Sequence, residues 1–330
     1  MKPVKLPARQ RGVAVITALL LTALAITVVA SRFWQQQVQV RSMENQRLRL
    51  QTQWAMRGMV DFARFWLRQD NPSQTAADGV WATPIEEARL DDYVDREKVD
   101  TEKFDATVSG RALDAQARFN ISNLVAATGG INPKQVLAYQ RLLSNLQLDS
   151  SLAQETAEVV LRATPKPRTV ENGSDGKMPA ATPPSGGGSE PVAFTQVEDL
   201  LAVPGYTPQI IEKLRDFIIV LPKLNAGDVT AVNVNTAPAE VLAAVTMMSL
   251  SEASALTLSN PRKKFVDLAN FKNNIDSKQV IEGVELDVKS RYFLTVIRVR
   301  LDRAALDAVA LIYRQPDRER ATRLVWLREN

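Results

Sequence analysis

From Val13 to Ser31 the chain reads VAVITALLLTALAITVVAS, nineteen residues without a charged side chain. As an α-helix rising about 1.5 Å per residue, this run is roughly 28 Å long, close to the ~30 Å hydrocarbon core of a bilayer. A span of that kind divides the chain, because everything beyond it must lie on one side of a membrane. Arg9 and Arg11 precede the run and only Arg32 follows it at once, so the positive-inside rule places the amino terminus in the cytoplasm. A cleaved signal peptide is the competing reading. Signal peptides have an apolar region of about 7 to 15 residues and a small-x-small cleavage site. Here the apolar run is longer, Val28 to Ser31 offers only VVAS, and helical patterning continues past it.

No proline lies between residues 8 and 71, and glycine occurs there only at Gly12 and Gly58. One helix is therefore predicted from Val13 to about Asp70, some 87 Å long and well beyond the membrane. Its distal half carries Ala55, Met59, Phe62 and Trp66 at helical spacing, with Ala63 beside them, whereas Glu44 to Gln53 is mostly polar. Met59, Phe62 and Trp66 are read as packing on a globular domain or a partner helix, not as a ligand box. Asn71-Pro72 ends the helix, since the residue before proline is driven out of the helical region.

The chain contains no cysteine and no histidine. That removes thiolate and imidazole chemistry, most transition-metal sites and every triad built on a histidine base. Carboxylate pairs such as Asp91 with Asp92, or Asp267 with Glu282, have no spacing that singles them out for acid–base work. No catalytic residue and no cofactor is expected, and the chain is read as a protein that is not an enzyme. The net charge of +4 belongs to the amino terminus: of 41 basic residues, Lys2, Lys5, Arg9 and Arg11 lie in the first twelve, leaving 37 against 37 acidic ones. No general attraction to nucleic acid follows.

The rest of the chain mixes strand and helix signals and predicts an α+β domain. KFDATVSGRALDAQARFNISNLV alternates in polarity and is interrupted at Gly110 and Arg111, which predicts two strands and a turn. Pro133 to Ala163 has the periodicity of two helices. Thr164 to Val192 is dominated by Pro, Gly, Ser, Thr and charge, and reads as a mobile loop. FTQVEDLLAVPGYTPQIIEKLRDFIIVLP predicts a helix opened by a Thr195-to-Glu198 capping box, a turn at Pro204-Gly205 and a second helix. In VNVNTAPAEVLAAV, Asn235 or Thr236 is predicted to cap a helix with Pro238 in its first turn. Alternation through Phe293, Thr295, Ile297 and Val299, then Ala308 to Tyr313, then Leu324 to Leu327 predicts three closing antiparallel strands.

The string RQRGVAVITALLL resembles the class III leader of pilins and pseudopilins. ARFNISNLV and VNVNTAPAEVLAAV resemble segments of one family among them, the minor pseudopilin K of type II secretion (general secretion pathway protein K). The resemblance implies a leader at 1–12, a transmembrane segment at 13–31 and its helical continuation at 32–70. It further implies a pilin-like α+β domain beginning at 71–132, a helical insertion at 133–271 that contains the loop 164–192, and closing strands at 272–330. A prepilin peptidase would cut between Gly12 and Val13 and methylate Val13. Most pilin-like proteins have glutamate at the fifth mature position, which here is Thr17, and this family typically lacks it. Calcium is implied by the family, yet the aspartate-rich, tryptophan-containing segment that helps to bind it is missing. Only Glu171, Asp175 and Glu190, widely separated, stand in that loop as weak metal candidates.

The implied role is a tip subunit that initiates a pseudopilus for export of folded proteins across the outer membrane. Its implied partners are other minor pseudopilins, the major pseudopilin, the prepilin peptidase and the inner-membrane assembly platform. The implied location is the inner membrane, single-pass, with the domain in the periplasm. Two alternatives are a type IV pilus minor pilin and a membrane-anchored helix-hairpin-helix DNA-binding protein, because LLAVPGYTPQIIEKL and VNVNTAPAEVLAAV share that motif's helix-turn-helix texture.

Overall fold

A computed structural model of the chain describes residues 11–71, 73–89, 106–126, 128–164, 192–223, 229–259, 262–275, 279–315 and 321–329, with side chains from residue 15 onward. In chain order the elements are α1 (Arg11–Gln69), β1 (Ile85–Arg89), β2 (Ala106–Asp114), β3 (Phe119–Asn120), α2 (Pro133–Asn145), α3 (Leu152–Ala163), α4 (Pro208–Leu214), β4 (Ile218–Ile219), β5 (Val232–Asn233), α5 (Ala239–Val245), α6 (Leu250–Thr257), α7 (Leu268–Asn274), β6 (Leu286–Asp287), β7 (Tyr292–Leu301), β8 (Ala304–Arg314) and β9 (Thr322–Glu329). The fold is α+β, with a long apolar helix, an antiparallel sheet and a helical body.

Helix α1 is continuous over 59 residues. Its amino-terminal part is apolar enough to cross a membrane, with a mean hydropathy of 2.0 over its most apolar window and none of that window buried. Burial begins at Thr52, and from there Met56, Met59, Val60 and Leu67 face the sheet. The buried face is thus centred on 56, 60, 63 and 67, about one residue round the helix from the predicted stripe. Met59 belongs to that face and Phe62 packs at its margin, while Trp66 is 37% exposed. Sequence periodicity defines a stripe, but the sheet surface selects which edge of it is covered.

Five strands form the sheet in the order β1-β2-β7-β8-β9, with every neighbouring pair antiparallel. The three predicted closing strands are β7, β8 and β9. The predicted break at Gly110 and Arg111 does not occur, because β2 pairs residue for residue with β7 from Ala106 opposite Leu301 to Asp114 opposite Phe293. Gly110 marks a close approach instead of a turn: a Cβ there would lie 3.1 Å from the Val296 carbonyl oxygen.

Between β2 and β7 the chain builds a separate helical body. Its core contains Phe119 stacked on Tyr139 at 5.4 Å, with Leu142, Leu214, Val241 and Leu242 around them. Ile275, Ile281, Val284, Leu286 and Val288 pack into or against this core, so 279–288 lies with the helices and not with the closing strands. The local capping also differs in detail. The capping box opening the third helical segment pairs Gln196 with Asp199, not Thr195 with Glu198, and the segment Val197–Ala202 is a 3₁₀ helix. The Asp199 carboxylate accepts from the backbone N–H groups of Thr195 and Gln196 at 2.7 and 3.0 Å, which sets this register. Pro238 occupies the N-cap position of α5, and neither Asn235 nor Thr236 caps it, because tertiary partners engage both side chains.

Candidate functional site

Two regions stand out, one exposed and one buried. The first is α1 itself. Gly12 and Val13 lie in its first turn, and Thr17 stands on the exposed apolar stretch that includes Val15, Leu19, Leu20, Leu24 and Val28. Phe33 and Trp34 follow, 70% and 73% exposed, and the amphipathic indole of Trp34 favours a membrane interface. Further along, Phe62 and Trp66 meet edge to face at 5.8 Å and line a groove of about 420 Å³ with Met59, Val80, Trp81 and Ile85. The three predicted packing residues are therefore together, with Met59 beneath the groove and Trp66 on its rim.

The second is a buried polar junction where the helical body joins α1 and the sheet. Its centre is Asp114, the last residue of β2. One carboxylate oxygen of Asp114 accepts from the Asn233 amide at 2.8 Å, the Thr236 hydroxyl at 2.6 Å and the Ser290 hydroxyl at 2.5 Å. The other accepts from the Gln116 backbone N–H at 2.8 Å. Asn233 also donates to the Thr75 carbonyl oxygen at 3.0 Å, and the Thr75 N–H donates to Val288 O at 2.8 Å. Arg314, at the end of β8, donates to Asp70 at 2.9 Å, to the Thr75 hydroxyl at 2.9 Å and to the Ser290 carbonyl at 3.0 Å. Its guanidinium also lies 4.9 Å above the Phe293 ring. Arg314 and Asp70 are both buried, so the pair is withdrawn from water.

Burial pushes the Asp114 carboxyl above its ordinary value of 3.8, against the hydrogen bonds from Ser290, Thr236, Gln116 and Asn233, which draw it down. The native state therefore holds this proton to higher pH than the unfolded chain. The corresponding stability is fully present below 3.8 and is lost as pH rises through the raised native value. Asp114→Asn removes that titration. We expect the stability advantage of wild type over Asp114→Asn, measured by urea unfolding, to shrink as pH rises from about 4 towards neutrality. A pH-independent difference would contradict this assignment.

Sequence reasoning missed this junction. Its one local signal is the cluster of small polar residues in VNVNTAP, which by sequence alone reads as helix capping. The predicted metal candidates Glu171, Asp175 and Glu190 lie outside the described residues. Among the described residues no group of three or more acidic side chains is placed to hold a metal ion. The turn that suggested a DNA-binding hairpin packs inward: Gly205 has φ +90° and a Cβ there would lie 2.7 Å from Leu152 Cδ2. The next residue, Tyr206, meets the Tyr139 hydroxyl at 2.7 Å and the Thr156 hydroxyl at 2.8 Å.

Two models of the family described as type II secretion system (T2SS), protein K, match residues 117–223 and 232–289, together half of the chain. The type II secretion system protein K of Pseudomonas aeruginosa is 26% identical over 305 residues, covering 88% of this chain and 85% of that protein. The corresponding proteins of Pectobacterium carotovorum and Aeromonas hydrophila are 25% and 24% identical, covering 89% and 91% of this chain and 89% and 92% of their own lengths. Among solved structures, a chain of the GspK-GspI-GspJ complex from the enterotoxigenic Escherichia coli type 2 secretion system aligns with a TM-score of 0.63. The identity is 18%, with 87% of this chain and 99% of that chain covered, which shows a common fold.

Proposed function

This chain belongs to the type II secretion system protein K family, and on that premise we propose that it is a minor pseudopilin at the tip of the pseudopilus, where it starts assembly for export of folded proteins across the outer membrane. The observation that carries this reading is Thr17 on the exposed apolar stretch of α1. In pilin-like filaments a glutamate at the fifth mature position is thought to meet the amino terminus of the preceding subunit. A charge inside an apolar bundle is costly unless an opposite charge meets it. A subunit with threonine there offers no carboxylate to a neighbour above it, and only the first subunit has no such neighbour. The bulk of the helical body supports the same place, since a filament end accommodates a body that a repeating shaft would crowd out.

On this reading α1 anchors the protein in the inner membrane in a single pass, with the amino terminus cytoplasmic and the domain periplasmic. Its partners are other minor pseudopilins, the major pseudopilin, the prepilin peptidase and the assembly platform. Its role is assembly, with no catalytic step. The peptidase removes residues 1–12 and methylates Val13. Gly12→Asp is expected to leave the leader attached, which mass spectrometry of the membrane-extracted protein reads as an intact amino terminus. Cleavage near Ser31 would instead restore the signal-peptide reading. The tip position is tested by labelling the protein on isolated filaments. Label confined to one end is expected, and label at regular intervals along the shaft would overturn the proposal.

A further inference from the structure

The helical body is inserted into the sheet through two chain crossings, one between Asp114 and Phe119 and one between Val288 and Tyr292. A body held by two adjacent crossings is free to swing about them unless something braces the joint. We propose that the Asp114-centred junction is that brace, locking the helical body to α1 and the sheet so that movement of the anchor helix reaches the helical body without a hinge.

Three features of the geometry carry this. The Ser290 hydroxyl on Asp114 ties the exit of the insertion to its entry. Asn233 and Thr236, which belong to the inserted body, reach back to the same carboxylate, and Asn233 also holds the Thr75 carbonyl in the segment that follows α1. Arg314 then continues the chain of bonds through Thr75 and Ser290 to Asp70, just beyond the last turn of α1. A second tie lies alongside: Gln116 accepts from the backbone N–H of Arg291 at 2.6 Å and donates to the Ala231 carbonyl at 2.8 Å. Apolar contacts also span the seam, where Ile219 and Leu221 meet Tyr292 and Leu311. Apolar contact is non-directional and tolerates sliding, whereas buried hydrogen bonds weaken steeply when their angles change. Asp70, Thr75, Asp114, Asn233, Ser290 and Arg314 are all buried, so water does not replace a bond that swings open.

Because the chain has no native cysteine, engineered pairs report distances without background. In the full chain in lipid nanodiscs, spin labels at Arg57→Cys and Glu155→Cys span the joint, since both sites are exposed, on α1 and α3 respectively. Labels at Arg57→Cys with Arg300→Cys, and at Glu155→Cys with Lys272→Cys, stay within one body each. Asn233→Ala combined with Thr236→Val is expected to broaden the cross-joint distance distribution about twofold while leaving both within-body distributions unchanged. Thr236→Val alone, which deletes only the Thr236 bond across the joint, is expected to fall between wild type and the pair. An unchanged cross-joint width in both variants would assign the rigidity to the apolar seam and overturn the proposal. So would simultaneous loss of hydrogen-exchange protection in both bodies, which would make the junction part of one cooperative core.

Discussion

Arg314→Ala is expected to lower the unfolding free energy by about 3 to 5 kcal/mol, the cost of stranding a buried charge by removing its partner. Asp70 would keep a buried carboxylate with its cation gone, and the Thr75 hydroxyl and Ser290 carbonyl would lose a donor. The Phe293 ring would also lose the guanidinium stacked above it. The control is the double variant Asp70→Leu with Arg314→Met, which removes both charges and fills the space with apolar atoms. Replacing a buried pair in this way is often neutral, so the double variant is expected to recover much of the loss. Thermal melts of the wild type and the two variants decide the matter. If the double variant is as unstable as Arg314→Ala, the bonds to Thr75 and Ser290 outweigh the ion pair.

Met56→Asp is expected to separate α1 from the sheet. Met56 is 1% exposed and packs against β-strand residues including Val108, Ile297 and Val299. Burying an unpaired carboxylate there costs several kcal/mol, so the distal helix is expected to detach locally or the domain to unfold. Trp66→Asp is expected to cost far less, because that ring already stands partly in water. Met59→Asp should resemble Met56→Asp, and Phe62→Asp should fall between. Hydrogen exchange over residues 52–69 reads the order directly. Equal loss of protection in the Met56 and Trp66 variants would refute the assignment of the covered face.

Much of the architecture is legible in the order of residues because its causes are local. Nineteen uncharged residues make a helix of bilayer length wherever they occur, and the absence of proline to residue 71 lets that helix run on without a break. Alternation in β7, β8 and β9 marks strands with one face towards α1, and proline after a capping asparagine marks the start of α2, where Asn132 accepts from the N–H groups of Lys134 and Gln135. The family segments are legible for the same reason, being short contiguous strings.

What the sequence by itself determined is therefore an apolar helix of membrane-spanning length, the extent of α1, the α+β class and the family. Only the tertiary structure decided that β2 runs straight through Gly110, that α1 is covered on its Met56 and Val60 edge, and that VNVNTAP supplies a junction instead of a helix cap. Each of these depends on a partner far along the chain. Asn233 lies 119 residues from the carboxylate it meets, Ser290 lies 176 from the same group, and Arg314 lies 244 from Asp70. Local propensity has no term for such distances, and an Asn or Thr before a helix caps it by default. It is the convergence of two crossings on one buried carboxylate, created only when the body packs on the sheet, that draws these side chains away from the helix end.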